Sequence, residues 1–108
     1  MSTLGPELDA LYATLESRKG ADPSTSYVAK LYDKGLDAIL KKVGEESAET
    51  LLAAKNASKP ELVYESVDLI FHLFVLLARE GISCEDLAVE LKRRSGTSGI
   101  VEKASRSS

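Results

Sequence analysis

The chain has one cysteine, one histidine, three prolines and no tryptophan among its 108 residues. A single thiol, Cys84, excludes an internal disulfide framework and a cysteine-built zinc site. Four tyrosines and two phenylalanines are the only aromatic residues. Any core must therefore come from Leu, Val, Ile and Ala, which favours helix packed on helix. The net charge is −3, so no basic field draws in nucleic acid or an anionic membrane surface. The longest apolar stretch, residues 69–78, is interrupted by His72 and is too short to span a bilayer. Residues 1–6 lack the basic flank and apolar centre of a signal peptide. No P-loop and no GxGxxG is present. The expectation is a soluble cytoplasmic protein of one domain, with neither nucleic acid nor membrane as partner.

What the sequence does contain is helical punctuation. Leu4, Leu8, Leu11 and Leu15 form one apolar face, with Pro6 suited to a first turn. This predicts a first helix over residues 6–19, followed by a Gly-Ala-Asp-Pro-Ser-Thr loop. A short helix over 27–34 ends at Gly35. A third, over 36–57, would bury Leu36, Ile39, Leu40, Val43 and Leu51 on the side away from its glutamates. Ser58 and Glu61 read as a capping box opening a fourth helix that stops at Gly81. Ser83 opens a fifth, ending near Arg94. The predicted architecture is all-α, a five-helix domain over residues 1–95 with a flexible Gly/Ser-rich tail over 96–108. The fourth helix is apolar all round from 69 to 78, save His72, and needs cover on every side. A homodimer that builds its central bundle from the third and fourth helices of both chains would supply it.

Against this background the acidic residues stand out. Glu45-Glu46-x-x-Glu49 lies on the third helix and Glu65-x-x-Asp68 on the fourth. At about 100° per residue the first three span an arc of roughly 100° and the last two roughly 60°. Like charges so placed destabilise a helix, and a cation resolves the conflict. Oxygen ligands without thiolate suit a hard ion, Mg²⁺ with Mn²⁺ as substitute, over zinc or copper. Glu46, Glu49, Glu65 and Asp68 are the expected metal ligands. Glu45, Glu46 and Glu49 are the candidate catalytic residues, with Glu45 open to three roles: ligand, bridge to a second ion, or base that orients water. Such a site points to phosphate chemistry, in which positioning and charge neutralisation do most of the work. A di-iron bundle would need paired Glu-x-x-His motifs, and neither acidic segment has one.

Lys42 shares the arc of the three glutamates and either pairs with Glu46 or reaches substrate. Arg18, Lys30 and Lys34 are further candidates for substrate phosphates. His72, one turn past Asp68, is placed to act as a base or to hydrogen-bond Asp68 from behind the metal ligands.

These residues resemble the phosphoribosyl-ATP pyrophosphatase family, within the MazG-like all-α nucleotide pyrophosphatases. The acidic pattern is that of the superfamily. Residues 17–23 (SRKGADP) with Ser26-Tyr27, residues 41–46 (KKVGEE) and the tail from Gly96 to Arg106 are similar to the narrower family. Val67 is bulkier than the small residue expected beside Asp68. The resemblance implies hydrolysis of phosphoribosyl-ATP to phosphoribosyl-AMP and pyrophosphate, the second step of histidine biosynthesis. It implies a stand-alone form, not one fused to a cyclohydrolase, with Lys103 and Arg106 holding substrate phosphates. Two alternatives stand beside it: a house-cleaning pyrophosphatase acting on dCTP or non-standard nucleotides, and a non-catalytic metal-binding scaffold.

Overall fold

The computed structural model describes residues 1–96. Among them are five helices and no strand: α1 (Leu4–Ser17), α2 (Tyr27–Lys34), α3 (Leu36–Lys55), α4 (Lys59–Arg79) and α5 (Cys84–Arg94). Beyond Gly96 the predicted tail, with Lys103 and Arg106, lies outside the described residues.

Local chemistry sets most helix ends. Ser26, Ser58 and Ser83 each accept a backbone N–H, from Ala29, Glu61 and Asp86 respectively, at 3.1–3.3 Å. The reciprocal capping box forms at Ser83 and Asp86, whose carboxylate accepts the Ser83 N–H at 2.8 Å. At Ser58 only the serine half of the expected box is made. α3 ends at Lys55, short of the predicted 57, because Ala57 turns left-handed at φ 57°. The Ser58 N–H then bonds the Ala53 carbonyl at 3.4 Å and the Ala57 N–H that of Ala54 at 3.1 Å. This is a Schellman stop, usually built on glycine. Gly81, at φ 73°, makes the same stop after α4.

Leu15, Ile39 and Val75 are fully buried and join α1, α3 and α4. Val28, Leu31, Phe74 and Ala78 complete the core. The Tyr32 hydroxyl donates to the Leu15 carbonyl at 3.0 Å, tying α2 to the end of α1. Each buried aliphatic side chain stabilises the fold by about 1.5–3 kcal/mol before entropy is counted.

The orientation of α3 differs from the sequence expectation. Its buried residues are Ile39, Glu46 and Ala53, seven apart, so one carboxylate lies on the inward stripe itself. On a helical wheel this stripe is the seam between an acidic arc and an apolar arc. Ile39 and the half-buried Val43 face in, while Leu40 and Leu51 are carried round to the outside; Leu51 is 71% exposed. α3 meets α4 through the seam, leaving one flank acidic and the other apolar.

α4 also departs from expectation. Its apolar stretch is largely covered within the single chain: His72, Phe74, Val75 and Ala78 are buried and only Leu73 passes into the exposed class. α1 and α3 supply that cover. The apolar surface without cover lies nearer the hairpin loop, at Leu51 and Leu52 of α3 and Val63, Tyr64 and Val67 of α4.

Candidate active site

The α3–α4 hairpin brings Glu46 against Asp68. Glu46, buried at 6% exposure, receives the Lys42 ammonium at 3.2 Å from its Oε1. Glu45 is exposed and lies 3.9 Å from the same ammonium. Thr50 stitches the helices together behind this cluster. Its hydroxyl meets the Glu46 carbonyl at 2.8 Å and the Glu65 carbonyl at 3.2 Å.

The electrostatics are those of crowded carboxylates. Burial, the largest influence on Glu46, pushes its carboxyl up; hydrogen bonds from Asp68 and Lys42 outweigh it and hold the group below its ordinary value. Asp68 moves the other way, raised first by burial and then by its bond to Glu46 and by that group's charge. Their mutual contact thus pushes the two carboxyls in opposite directions. Glu65 is raised too, by desolvation first and then by the charges of Glu46, Glu49 and Asp68. A hard divalent cation would relieve the repulsion among these carboxylates, so this oxygen donor set fits such an ion.

One ligand-type atom each from Glu46, Asp68 and His72 lies within 4.8 Å of the others. Glu49 and Glu65 stand outside this close group, and Glu65 feels the charges of Glu46, Glu49 and Asp68. His72 is 3% exposed and was expected to bond Asp68. Its Nδ1 lies 2.8 Å from the Asp68 main-chain carbonyl and 3.4 Å from the carboxylate. Nε2 is 2.8 Å from the Tyr27 hydroxyl.

The basic candidates separate. Lys42 is engaged with Glu46 and Glu45. It also borders, with Lys34, Lys41 and Tyr27, a cleft of about 280 Å³. Arg18 lines a second cleft of about 400 Å³ with Thr25, Ser26 and the other side of Tyr27. Lys30 is exposed and borders neither.

Tyr27 and Thr50 were not among the sequence candidates. Tyr27 is 45 residues from His72, and no spacing rule reaches that far. Thr50, one residue past Glu49, carried a signal of position only.

The clefts thus place basic side chains near the acidic cluster, and comparison with known proteins identifies the family. Residues 8–95 match the family model described as phosphoribosyl-ATP pyrophosphohydrolase. A phosphoribosyl-ATP pyrophosphatase of Cupriavidus metallidurans is 59% identical over 87% of this chain and 86% of its own length. That of Dechloromonas aromatica is 54% identical over 92% of each chain. That of Nitrosomonas eutropha is 48% identical over 99% of this chain and 92% of its own. The similarity runs through all five helices and is not confined to the acidic motif. On that breadth of agreement the chain belongs to the phosphoribosyl-ATP pyrophosphohydrolase family.

Proposed function

We propose that the chain hydrolyses phosphoribosyl-ATP between its α and β phosphates, giving phosphoribosyl-AMP and pyrophosphate, as a step of histidine biosynthesis in the cytoplasm. The observation that carries the reading is the close grouping of Glu46, Asp68 and His72 where α3 meets α4, beside clefts lined by Lys34, Lys41, Lys42 and Arg18. Among the described residues no helix is long and apolar enough to cross a membrane.

Glu46, Glu49, Glu65 and Asp68 would hold Mg²⁺, with Mn²⁺ able to replace it. When bound, the ion supplies charge neutralisation at the phosphate oxygens and acidifies a water. The chain's own residues do the rest. Lys42 holds Glu46 in place through its 3.2 Å contact. Glu45, exposed at the edge of the cluster, accepts the proton of the attacking water. Arg18 and Lys34 line the clefts and bind phosphate oxygens. Lys30, Lys103 and Arg106 are assigned supporting contacts of the same kind. The pyrophosphate leaves as an anion that these cations stabilise.

The functional unit in this reading is a homodimer. A second copy would cover Leu51, Leu52, Val63, Tyr64 and Val67, all exposed in the single chain. Contiguous apolar surface of this kind marks an association site.

The test is product analysis with phosphoribosyl-ATP, ATP and dCTP, each with and without Mg²⁺. Metal-dependent pyrophosphate from phosphoribosyl-ATP alone is the expected result. Release from dCTP or ATP instead would keep the chemistry and replace the substrate with a house-cleaning one. No product from any of them, with the protein folded, would leave a metal-binding scaffold.

A further inference from the structure

Tyr27 sits at the site, yet the chemistry above gives it no task. Its hydroxyl is 2.8 Å from His72 Nε2, and His72 Nδ1 is 2.8 Å from the Asp68 carbonyl. A carbonyl only accepts, so Nδ1 carries a proton. In the neutral ring Nε2 is then the acceptor for the tyrosine O–H, which selects one tautomer. Packing fixes the ring plane as well. Tyr27 and Phe71 meet the imidazole edge-on, with centroids 5.8 and 5.2 Å away, and Tyr27 stacks on Phe71 at 6.4 Å.

Distance alone would make His72 a third ligand beside Glu46 and Asp68. Its hydrogen bonds say otherwise. Nδ1, the nitrogen 3.4 Å from the Asp68 carboxylate, is protonated and turned to the carbonyl, while Nε2 faces α2. Ligation would break one of these two bonds.

We propose that Tyr27 is a positioning residue that acts through His72 on the turn of α4 that carries Asp68, and that His72 itself does not ligate. This rests on the reading of the acidic cluster as a metal site; it is independent of which nucleotide is the substrate. Tyr27 also forms a wall of both basic clefts. One tyrosine thus links the cleft-facing surface of α2 to the Asp68 turn of α4.

The chain has a single histidine, so the ¹⁵N signals of the imidazole, in protein without a histidine tag, report on His72 alone. The expected spectrum shows a protonated Nδ1 and an unprotonated Nε2, unchanged in type when Mg²⁺ is added. Coordination of either nitrogen on Mg²⁺ addition, or the opposite tautomer, would overturn the proposal, and this readout requires no variant to fold. Tyr27→Phe keeps the ring and removes the hydroxyl. It should weaken Mn²⁺ binding, followed by the electron paramagnetic resonance of free Mn²⁺, by about tenfold. Unchanged or tighter Mn²⁺ binding in that variant would contradict the positioning role. If the wild-type protein binds no Mn²⁺, the metal-site reading itself falls, and the proposal falls with it.

Discussion

The two ends of the α3–α4 hairpin are made of similar residues and are used differently. At the end remote from the loop, Ile39 on α3 and Val75 and Ala78 on α4 are fully or almost fully buried among α1 and α2 side chains. At the loop end, Leu51 and Val67 are 71% and 59% exposed. The acidic cluster lies between the two. One end therefore stabilises the single chain, and the other leaves apolar side chains exposed, the surface proposed above for a second copy. The carboxylates sit where firm support from the core gives out and access from solvent begins. Such placement lets the fold bury Glu46 while Glu45 and Glu49 stay exposed.

The sharpest test of this contrast is to weaken each end in turn. Ile39→Ala should cost roughly 2–5 kcal/mol of folding stability in chemical denaturation, the range for emptying a packed core position. Leu51→Lys should leave helix content and monomer stability almost unchanged, because surface substitutions away from special features fall within about 0.5 kcal/mol. Its effect should appear in sedimentation, as a dimer becoming a monomer. A variant that stays dimeric and active would move the partner surface elsewhere on the molecule.

A smaller effect belongs to the packed end. Tyr32 is raised from 10.0 to about 12, by burial first and then by the charge of Glu16. The folded state thus favours the neutral phenol. Its contribution is complete below about pH 10 and is lost as pH rises from there through about 12. Tyr32→Phe leaves the Leu15 carbonyl without its partner and should cost about 1 kcal/mol at neutral pH. The gap between variant and wild type should close on titration from pH 10 towards 12, as measured by thermal melts. A constant gap across that range would separate the hydroxyl from the alkaline loss of stability.

The smallest effect lies at the loop. Ala57 holds φ 57° at the Schellman position that Gly81 fills after α4. The left-handed conformation costs an L-residue roughly 1–2 kcal/mol, partly offset by the greater unfolded freedom of glycine. Ala57→Gly should raise stability by about 0.5 kcal/mol, readable as a small rise in melting temperature. A fall would mean that the alanine methyl group contributes something the backbone geometry does not reveal.

Much of this architecture was legible from the sequence because its determinants are local. Ser26, Ser58 and Ser83 cap helices, and Gly35 and Gly81 end them, within a few residues of where composition alone predicts. Ala57 hid the end of α3 because alanine carries no turn signal. The acidic motif led to the superfamily and the stretches at 17–23, 41–46 and 96–106 to the narrower family, a resemblance the comparisons bear out. The facing of α3 was not legible. A helical wheel gives the width of each arc but not the direction of the neighbouring helix, so Leu40 and Leu51 read as interior. Glu46, among residues that read as surface, turned out to be the buried one. Tyr27 was hidden for a different reason: its bond to His72 is a product of how α2 docks on α4.

The most direct test of the central claim is Glu46→Gln, which keeps the shape of the buried side chain and removes its charge. Pyrophosphate release from phosphoribosyl-ATP in saturating Mg²⁺ would be measured alongside thermal melting of the same samples. The account predicts a fall in kcat/KM of roughly 10²–10³-fold in a protein that remains folded. A folded variant with wild-type activity would contradict it and move the catalytic centre away from the α3–α4 seam.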